Sequence, residues 1–180
     1  MTDPSEIIDE DLAEILDAVG RQDRDAALSL AMAAFERGLD HPLILLLMAE
    51  GLDAGGRGRE ALELLRRVTA EAPDEAEGWR RLGATLAGQG DLTEAVAAFE
   101  TALSIDPNVY WTLMAVGALS FSQEDLAAAE RYYRRAGNLE PDQAEPRAAL
   151  AAIAARRNAV AAAPKTWGYG FKITQRGRTN

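Results

Sequence analysis

The stretch AEGWRRLGATLAGQGDLTEAVAAFETALSIDPNV, residues 76–109, is followed directly by a second stretch with the same pattern, YWTLMAVGALSFSQEDLAAAERYYRRAGNLEPDQ, residues 110–143. The residues that coincide when the two are aligned are Gly83 with Gly117, Asp91 with Asp125, Leu92 with Leu126, Ala95 with Ala129, Ala102 with Ala136 and Pro107 with Pro141. One period earlier, residues 42–75 keep much of the pattern, and residues 8–41 keep little of it. This period of 34 residues indicates an array of repeated structural units.

Each unit is predicted to hold two amphipathic helices. The first helix ends at a Gly- or Gln-containing turn, where Asp91 or Glu124-Asp125 can cap the second helix. The second helix ends before Asp-Pro or Glu-Pro, because proline disfavours a helical conformation in the preceding residue. Small residues at fixed positions allow the helices to pack closely. The large residues expected to fill the core between them are Trp79, Leu82, Phe99, Leu103 and Tyr133.

The pattern resembles the tetratricopeptide repeat. The residues that carry the resemblance are Trp79, Leu82, Gly83, Leu86, Gly90, Asp91, Ala95, Phe99, Ala102 and Pro107. The resemblance implies an all-α, right-handed α-solenoid of antiparallel helix pairs with a binding or scaffolding role. The expected repeat domain, 1–157, holds units at 8–41, 42–75, 76–109 and 110–143 and a cap helix at 144–157. Residues 158–180 are expected to form a non-helical, basic and aromatic tail.

The resemblance also implies a concave groove lined mainly by the first helix of each unit. The candidate groove residues are Leu43, Leu46, Glu50, Arg80, Ala84, Trp111, Met114, Ala118 and Phe121. One subclass of the family binds the C-terminal carboxylate of chaperone peptides through lysines and asparagines at such positions, and this sequence has neither there. A small, apolar groove with acidic edges favours an amphipathic helix or an extended apolar peptide with basic flanks. Alternatively, Trp111 and Phe121 pack against the cap helix or neighbouring helices.

The tail differs from the rest of the chain in charge. Residues 1–157 carry a net charge of −14, whereas residues 158–180 carry +4 and no acid. Within the tail, GYGF at 168–171 matches part of an RNA-binding strand motif, but helical repeats provide no sheet to receive that strand. The tail is therefore either an extension that docks loosely or a segment that occupies its own groove or that of a neighbour. The candidate contact residues in the tail are Trp167, Tyr169, Phe171 and Lys172.

Catalytic residues are scarce in this sequence. It contains no cysteine and one histidine, His41, which precedes a proline and is expected to lie in a turn. The segment GLDAGGRGRE lacks the Lys-Ser/Thr ending of a phosphate-binding loop and is predicted to be the turn within a unit. We expect no catalysis and no cofactor. Residues 38–67 also loosely resemble the helical region fused to some bacterial sulfotransferase-like and aspartyl/asparaginyl hydroxylase-like enzymes, which implies a module that targets or regulates an enzyme.

Charge and hydropathy indicate which partners are favoured. The acidic repeats repel nucleic acid. The sequence has no apolar run long enough to cross a membrane, and its acidic N-terminus is unlike a secretory signal. We therefore expect a cytoplasmic protein, of bacterial composition, that binds a protein or peptide. Self-association through the tail or the N-terminal helix is a further expectation.

Overall fold

The computed structural model describes residues 4–162, which form nine α-helices joined by short turns. In chain order the helices are α1 (Pro4–Gly20), α2 (Arg24–Glu36), α3 (Pro42–Ala54), α4 (Gly58–Glu71), α5 (Ala76–Gln89), α6 (Leu92–Ile105), α7 (Tyr110–Ser122), α8 (Leu126–Leu139) and α9 (Glu145–Ala162). Each helix packs mainly on the helices before and after it in the chain. This arrangement confirms the predicted all-α solenoid of helix pairs.

The last helix is longer than predicted. It continues to Ala162, past the expected end at residue 157. The extra residues, NAVAA at 158–162, include three alanines, which favour helix, and the proline that blocks continuation comes only at position 164. Residues 158–162, which were expected to belong to the non-helical tail, are therefore helical. The candidate tail residues lie outside the described residues.

The core is a series of clusters along the solenoid rather than one central mass. In succession, the clusters are centred on Ile15, Ala31 and Ile44; on Leu65, Leu82 and Leu86; on Phe99, Leu113 and Tyr132; and on Tyr133 and Ile153. Of the residues predicted to be core, Leu82, Phe99, Leu103 and Tyr133 are buried. Trp79 is half-buried, and its indole Nε1 donates a hydrogen bond to the carbonyl oxygen of Pro73 at 2.9 Å.

The turn inside each unit repeats with the same period as the sequence. Its central residue has a positive φ in every unit: 58° at Gln22, 75° at Gly56, 90° at Gly90 and 62° at Glu124. Glycine adopts this left-handed conformation without steric conflict, whereas a residue with a side chain is strained in it. Residues 8–41, in which the repeat pattern is weak, therefore form a helix pair that turns in the same way as the others.

Replacing Gln22 by glycine is expected to stabilise the protein by about 0.5–1 kcal/mol, because the left-handed strain is removed while the unfolded chain gains some entropy. Gln22 is exposed, so the loss of its side chain removes no core contact. The stability is measured by thermal unfolding, followed by circular dichroism. Gln22→Ala is the control, because alanine keeps the strain. A glycine variant no more stable than the alanine variant would contradict the interpretation.

Helix caps lie at several of the connections. His41 lies before α3, and its Nδ1 accepts a hydrogen bond from the backbone N–H of Leu43 at 3.2 Å, so the expected turn role of this histidine is confirmed. Asp125 caps α8 by accepting from the N–H of Ala128 at 2.9 Å. Asp91 occupies the corresponding place before α6, but its side chain makes no capping hydrogen bond, contrary to the prediction.

Candidate functional site

The first helices of successive units begin at one edge of the solenoid. Their first turns place four residues at intervals of 34: Leu43 in α3, Glu77 in α5, Trp111 in α7 and Glu145 in α9. We call this row of four residues the anchor edge. Apolar and acidic side chains alternate along it, and its apolar members are two of the candidate groove residues.

Leu43 and Leu46 lie beside an open cavity of about 460 Å³ at the anchor edge. Both leucines are half-buried, and the cavity lies between α3, the end of α4 and the start of α5. Its lining is mostly apolar but includes two acids; the other lining residues are His41, Pro42, Val68, Ala72, Glu75, Glu77 and Gly78. This cavity can receive a large apolar side chain.

Glu50 and Ala84 line a second, smaller cavity of about 270 Å³. The Glu50 side chain is 14% exposed and forms ion pairs with two arginines, Arg24 from α2 and Arg81 from α5, the latter at 3.1 Å. Asp53 also lines this cavity. The cavity is therefore lined in part by a charged cluster whose cations are already paired.

Arg80, the one cation predicted for the groove, is also paired. Its guanidinium Nε donates to the Glu77 carboxylate at 2.7 Å, and Arg81 donates to the same carboxylate at 2.7 Å. Burial raises the pKa of Glu77, but the hydrogen bonds from Arg80 and Arg81 outweigh it, and the net pKa is below its ordinary value. Glu77 therefore stays ionised at neutral pH and holds both guanidinium groups.

The candidate residues of α7 have different environments. Trp111 is 70% exposed, with its ring edge-to-face to Tyr110 at a centroid distance of 5.0 Å. Ala118 is exposed, while Met114 is half-buried between two core clusters. Phe121 packs against the cluster that holds Ile153 of α9. Phe121 therefore packs against the cap helix, which is the alternative to a position in the groove, whereas Trp111 projects into solvent.

Two acidic side chains lie near Tyr110, the residue that precedes Trp111. Burial raises the pKa of the neighbouring Tyr110 hydroxyl, and the negative charges of Glu145 and Glu140 raise it further. Within residues 4–162, that hydroxyl is buried without a hydrogen-bond partner. The environment at the start of α7 therefore combines an exposed indole with nearby carboxylates, which favours a cationic or aromatic ligand group.

Sequence reasoning missed two members of the charged cluster. Arg24 and Arg81 lie at repeat positions that were not expected to face the groove, yet both bind Glu50. The signal available in the sequence was Glu50, which lies with one other acid, Asp53, in an otherwise apolar helix and requires a cation nearby when it is half-buried. Two exposed apolar residues of α1, Leu16 and Val19, are also compatible with the predicted N-terminal contact between copies, which stays a prediction.

Between residues 4 and 162, no group of three or more His, Asp or Glu side chains is arranged to hold a metal ion. None of the nine helices described is both long and apolar enough to cross a membrane.

Comparison with known proteins identifies the family. Two profiles described as tetratricopeptide repeat match residues 46–109 and 86–153, and together they span more than half of the chain. The protein belongs to the tetratricopeptide repeat family, as the sequence pattern predicted.

Three similar proteins illustrate how far the likeness extends. Peroxisome biogenesis protein 5 from Arabidopsis thaliana is 34% identical over 87 residues, which is 47% of this chain and only 12% of that protein. The crystal structure of MamA protein superimposes with a TM-score of 0.71 at 14% identity, covering 86% of this chain and 84% of that one. The first repeat domain of Spaghetti (RPAP3), bound to the HSP90 peptide SRMEEVD, gives 0.62 at 18% identity over 65% of this chain and 93% of that one. The two structures share the solenoid fold with this chain.

Proposed function

We propose that this protein is a non-catalytic interaction module that binds a partner peptide along the anchor edge of its groove. The observation that carries the proposal is the exposure of Trp111, 70% in a first helix whose other large residues are mostly covered. A tryptophan left in water loses the free energy of burial unless a partner covers it, and tryptophan is enriched among residues that dominate binding energy.

The chemistry of the groove favours an apolar peptide with basic flanks. The repeat domain of Spaghetti is bound to a peptide with two adjacent glutamates and an aspartate at its end. In this chain the groove cations Arg80 and Arg81 are held by Glu77 and Glu50, and so are not available to bind such acids. The apolar cavity beside Leu43 and the exposed indole of Trp111 remain as contact sites. An acidic peptide would also be repelled by the negative charge of the repeats.

The alternative interpretation, a module that regulates or delivers an enzyme, differs in what the partner does. It predicts that one enzyme is recovered repeatedly with the protein and that its turnover changes when the two are mixed. The non-catalytic role is common to both interpretations. It rests on the family membership and on His41, the one histidine of the sequence, serving as a helix cap.

The test is selection of short peptides from a random library on the full-length protein. We expect the selected peptides to contain large apolar residues and Lys or Arg. Trp111→Ala is expected to weaken their binding at least tenfold, which is the scale of a buried tryptophan anchor. Affinities are measured by fluorescence anisotropy with labelled peptides.

Met32→Ala is the matched control, because Met32 is 45% exposed but lies on α2, away from the anchor edge. Both variants should keep the helical circular dichroism spectrum and the unfolding transition of the unmodified protein. Equal binding by the two variants, or selected peptides that are predominantly acidic, would contradict the proposed function. Loss of the unfolding transition in Trp111→Ala would show instead that this residue belongs to the core.

A further inference from the structure

We propose that the anchor edge binds the C-terminal segment, residues 163–180, of a second copy of the same chain. This inference rests on the proposed function and names the peptide that the groove takes. It follows from three properties of the segment: its charge, the arrangement of its aromatic residues, and the distance it can span from the end of α9.

The first property is charge. The connections at the anchor edge carry five acids that form no ion pair with arginine within residues 4–162; they are Asp74, Glu75, Asp106, Glu140 and Asp142. Two arginines reach the same connections, Arg135 and Arg147, and each donates to a carbonyl oxygen there. The edge is therefore negative, and the segment 163–180 has four cations and no acid. Complementary charge guides association and sets the direction of a bound peptide.

The second property is the arrangement of aromatic residues in the segment. Trp167, Tyr169 and Phe171 alternate with glycines, so an extended backbone would place all three rings on one side, about 6–7 Å apart. The anchor edge offers the matching apolar contacts: the cavity beside Leu43 and the indole of Trp111. Lys165 and Lys172 flank the aromatic residues and carry a charge opposite to that of the acidic connections between the helices.

The third property is the distance that the segment can span from the end of α9. This distance is too short for Trp167, the first aromatic residue, to bind at the anchor edge of its own chain. α9 starts at the anchor edge with Glu145 and runs 18 residues to Ala162 at the opposite edge, an axial distance of about 26 Å. Trp167 follows Ala162 by five residues, which span at most about 18 Å even when fully extended. Trp167 therefore cannot return to Trp111, which lies a further helix pair away. The same segment of a second copy has no such limit.

Reciprocal exchange of the two segments would produce a closed dimer with two equivalent contacts. Sedimentation velocity of the full-length protein should show a monomer–dimer equilibrium that shifts toward monomer when salt is raised, because exposed ion pairs are screened. Two full-length variants are each expected to weaken the dimer at least tenfold: Trp111→Ala, and the triple change Trp167→Ser with Tyr169→Ser and Phe171→Ser.

The decisive experiment mixes these two variants. The triple variant retains an intact anchor edge and Trp111→Ala retains an intact segment, so the mixture keeps one of the two contacts. It should form a one-to-one heterodimer that is weaker than the unmodified dimer but tighter than the self-association of the triple variant. Met32→Ala should dimerise like the unmodified protein. A synthetic peptide of residues 164–180 should bind the triple variant at least tenfold more tightly than a scrambled peptide does.

Three results would overturn the inference: a protein that stays monomeric over the whole concentration range, a triple variant that dimerises normally, or a mixture without heterodimer. The proposed function is tested separately, because library peptides can still bind through Trp111 in a protein that does not self-associate. Conversely, if library peptides bind independently of Trp111 while the mixture does form heterodimers, the segment is the ligand but the general peptide-binding role fails.

Discussion

Replacing Gly83 by isoleucine is expected to lower the free energy of unfolding by about 3 kcal/mol, the upper part of the range for overpacked cores. A Cβ atom at Gly83 would lie 2.9 Å from Cγ of Phe99 and 3.0 Å from both Cδ atoms of that ring. Phe99 is only 4% exposed and shares its cluster with Leu113, so its ring has little room to move away. Chemical denaturation followed by circular dichroism measures the change.

Gly88→Ile is the matched control in the same helix. A Cβ atom at Gly88 would meet nothing within 4 Å, so only helix propensity changes there, and isoleucine is better than glycine in that respect. We expect its stability to equal or slightly exceed that of the unmodified protein. If the two isoleucine variants lost the same stability, the close approach of α5 and α6 at Gly83 would not be what requires a glycine.

The contact at Gly83 recurs in every unit between the same two repeat positions, and the sizes of the two residues vary in opposite directions. The eighth and twenty-fourth residues of the four units form the pairs Ile15 with Ala31, Ala49 with Leu65, Gly83 with Phe99, and Gly117 with Tyr133. Both members of the first two pairs share a core cluster, and the two glycines lie against the aromatic rings. A larger first helix residue thus accompanies a smaller second helix residue, which keeps the helix spacing similar along the solenoid.

This exchange predicts that a second substitution, at Phe99, restores part of the stability lost in Gly83→Ile. The double variant Gly83→Ile with Phe99→Ala reproduces the pair found in the first unit, Ile15 with Ala31. Phe99→Ala alone should destabilise the protein by about 3–5 kcal/mol because it leaves a cavity. The double variant should be more stable than either single variant, and by denaturation the two changes should show a coupling free energy of at least about 2 kcal/mol. Additive losses would show that the two positions do not compensate each other.

The same exchange explains which parts of the fold the sequence reveals. The units with Gly83 and Gly117 match the repeat pattern, because both follow the glycine–aromatic form of the contact. The unit of residues 8–41 uses Ile15 with Ala31 and has Gln22 in the turn, so the pattern is weak although the helix pair forms. Two residues that compensate for each other in size can be recognised only when they are known to be in contact. A repeat period found in one sequence does not show which residues are in contact.

The site is less predictable than the fold for a related reason. Repeat position placed Trp111 and Phe121 in the same candidate groove, yet one is exposed and the other packs against α9. Phe121 lies near the end of α7, where the longer cap helix covers it, and the length of α9 was underestimated. Arg81 was missed because a long side chain can reach an acid on the neighbouring helix from a position whose Cα does not face the groove.

The cap helix α9 is held to the solenoid by few buried side chains. Only Pro146 and Ile153 are buried among its described residues, and most of its other residues are small. Two arginines of α9 also form ion pairs, Arg156 with Glu124 and Arg157 with Glu130, and the latter bond lowers the pKa of Glu130 below its ordinary value. Exposed ion pairs of this kind contribute about 0–1 kcal/mol each. The packing of Ile153 is therefore expected to supply most of the attachment.

Replacing Ile153 by alanine is expected to release α9 from the solenoid while α3–α6 stay folded. Removing a fully buried isoleucine side chain costs about 2–5 kcal/mol, which exceeds what the ion pairs contribute, and a solenoid element contacts only its neighbours. Hydrogen exchange with mass spectrometry should show loss of amide protection across residues 148–160 and in Tyr133 of α8, which α9 covers. Val160→Ala is the control in the same helix, since Val160 is 68% exposed and should leave protection unchanged. Uniform loss of protection through α3–α6 would instead mean that α9 unfolds together with the whole solenoid, and unchanged protection in α9 would mean that Ile153 is not its anchor.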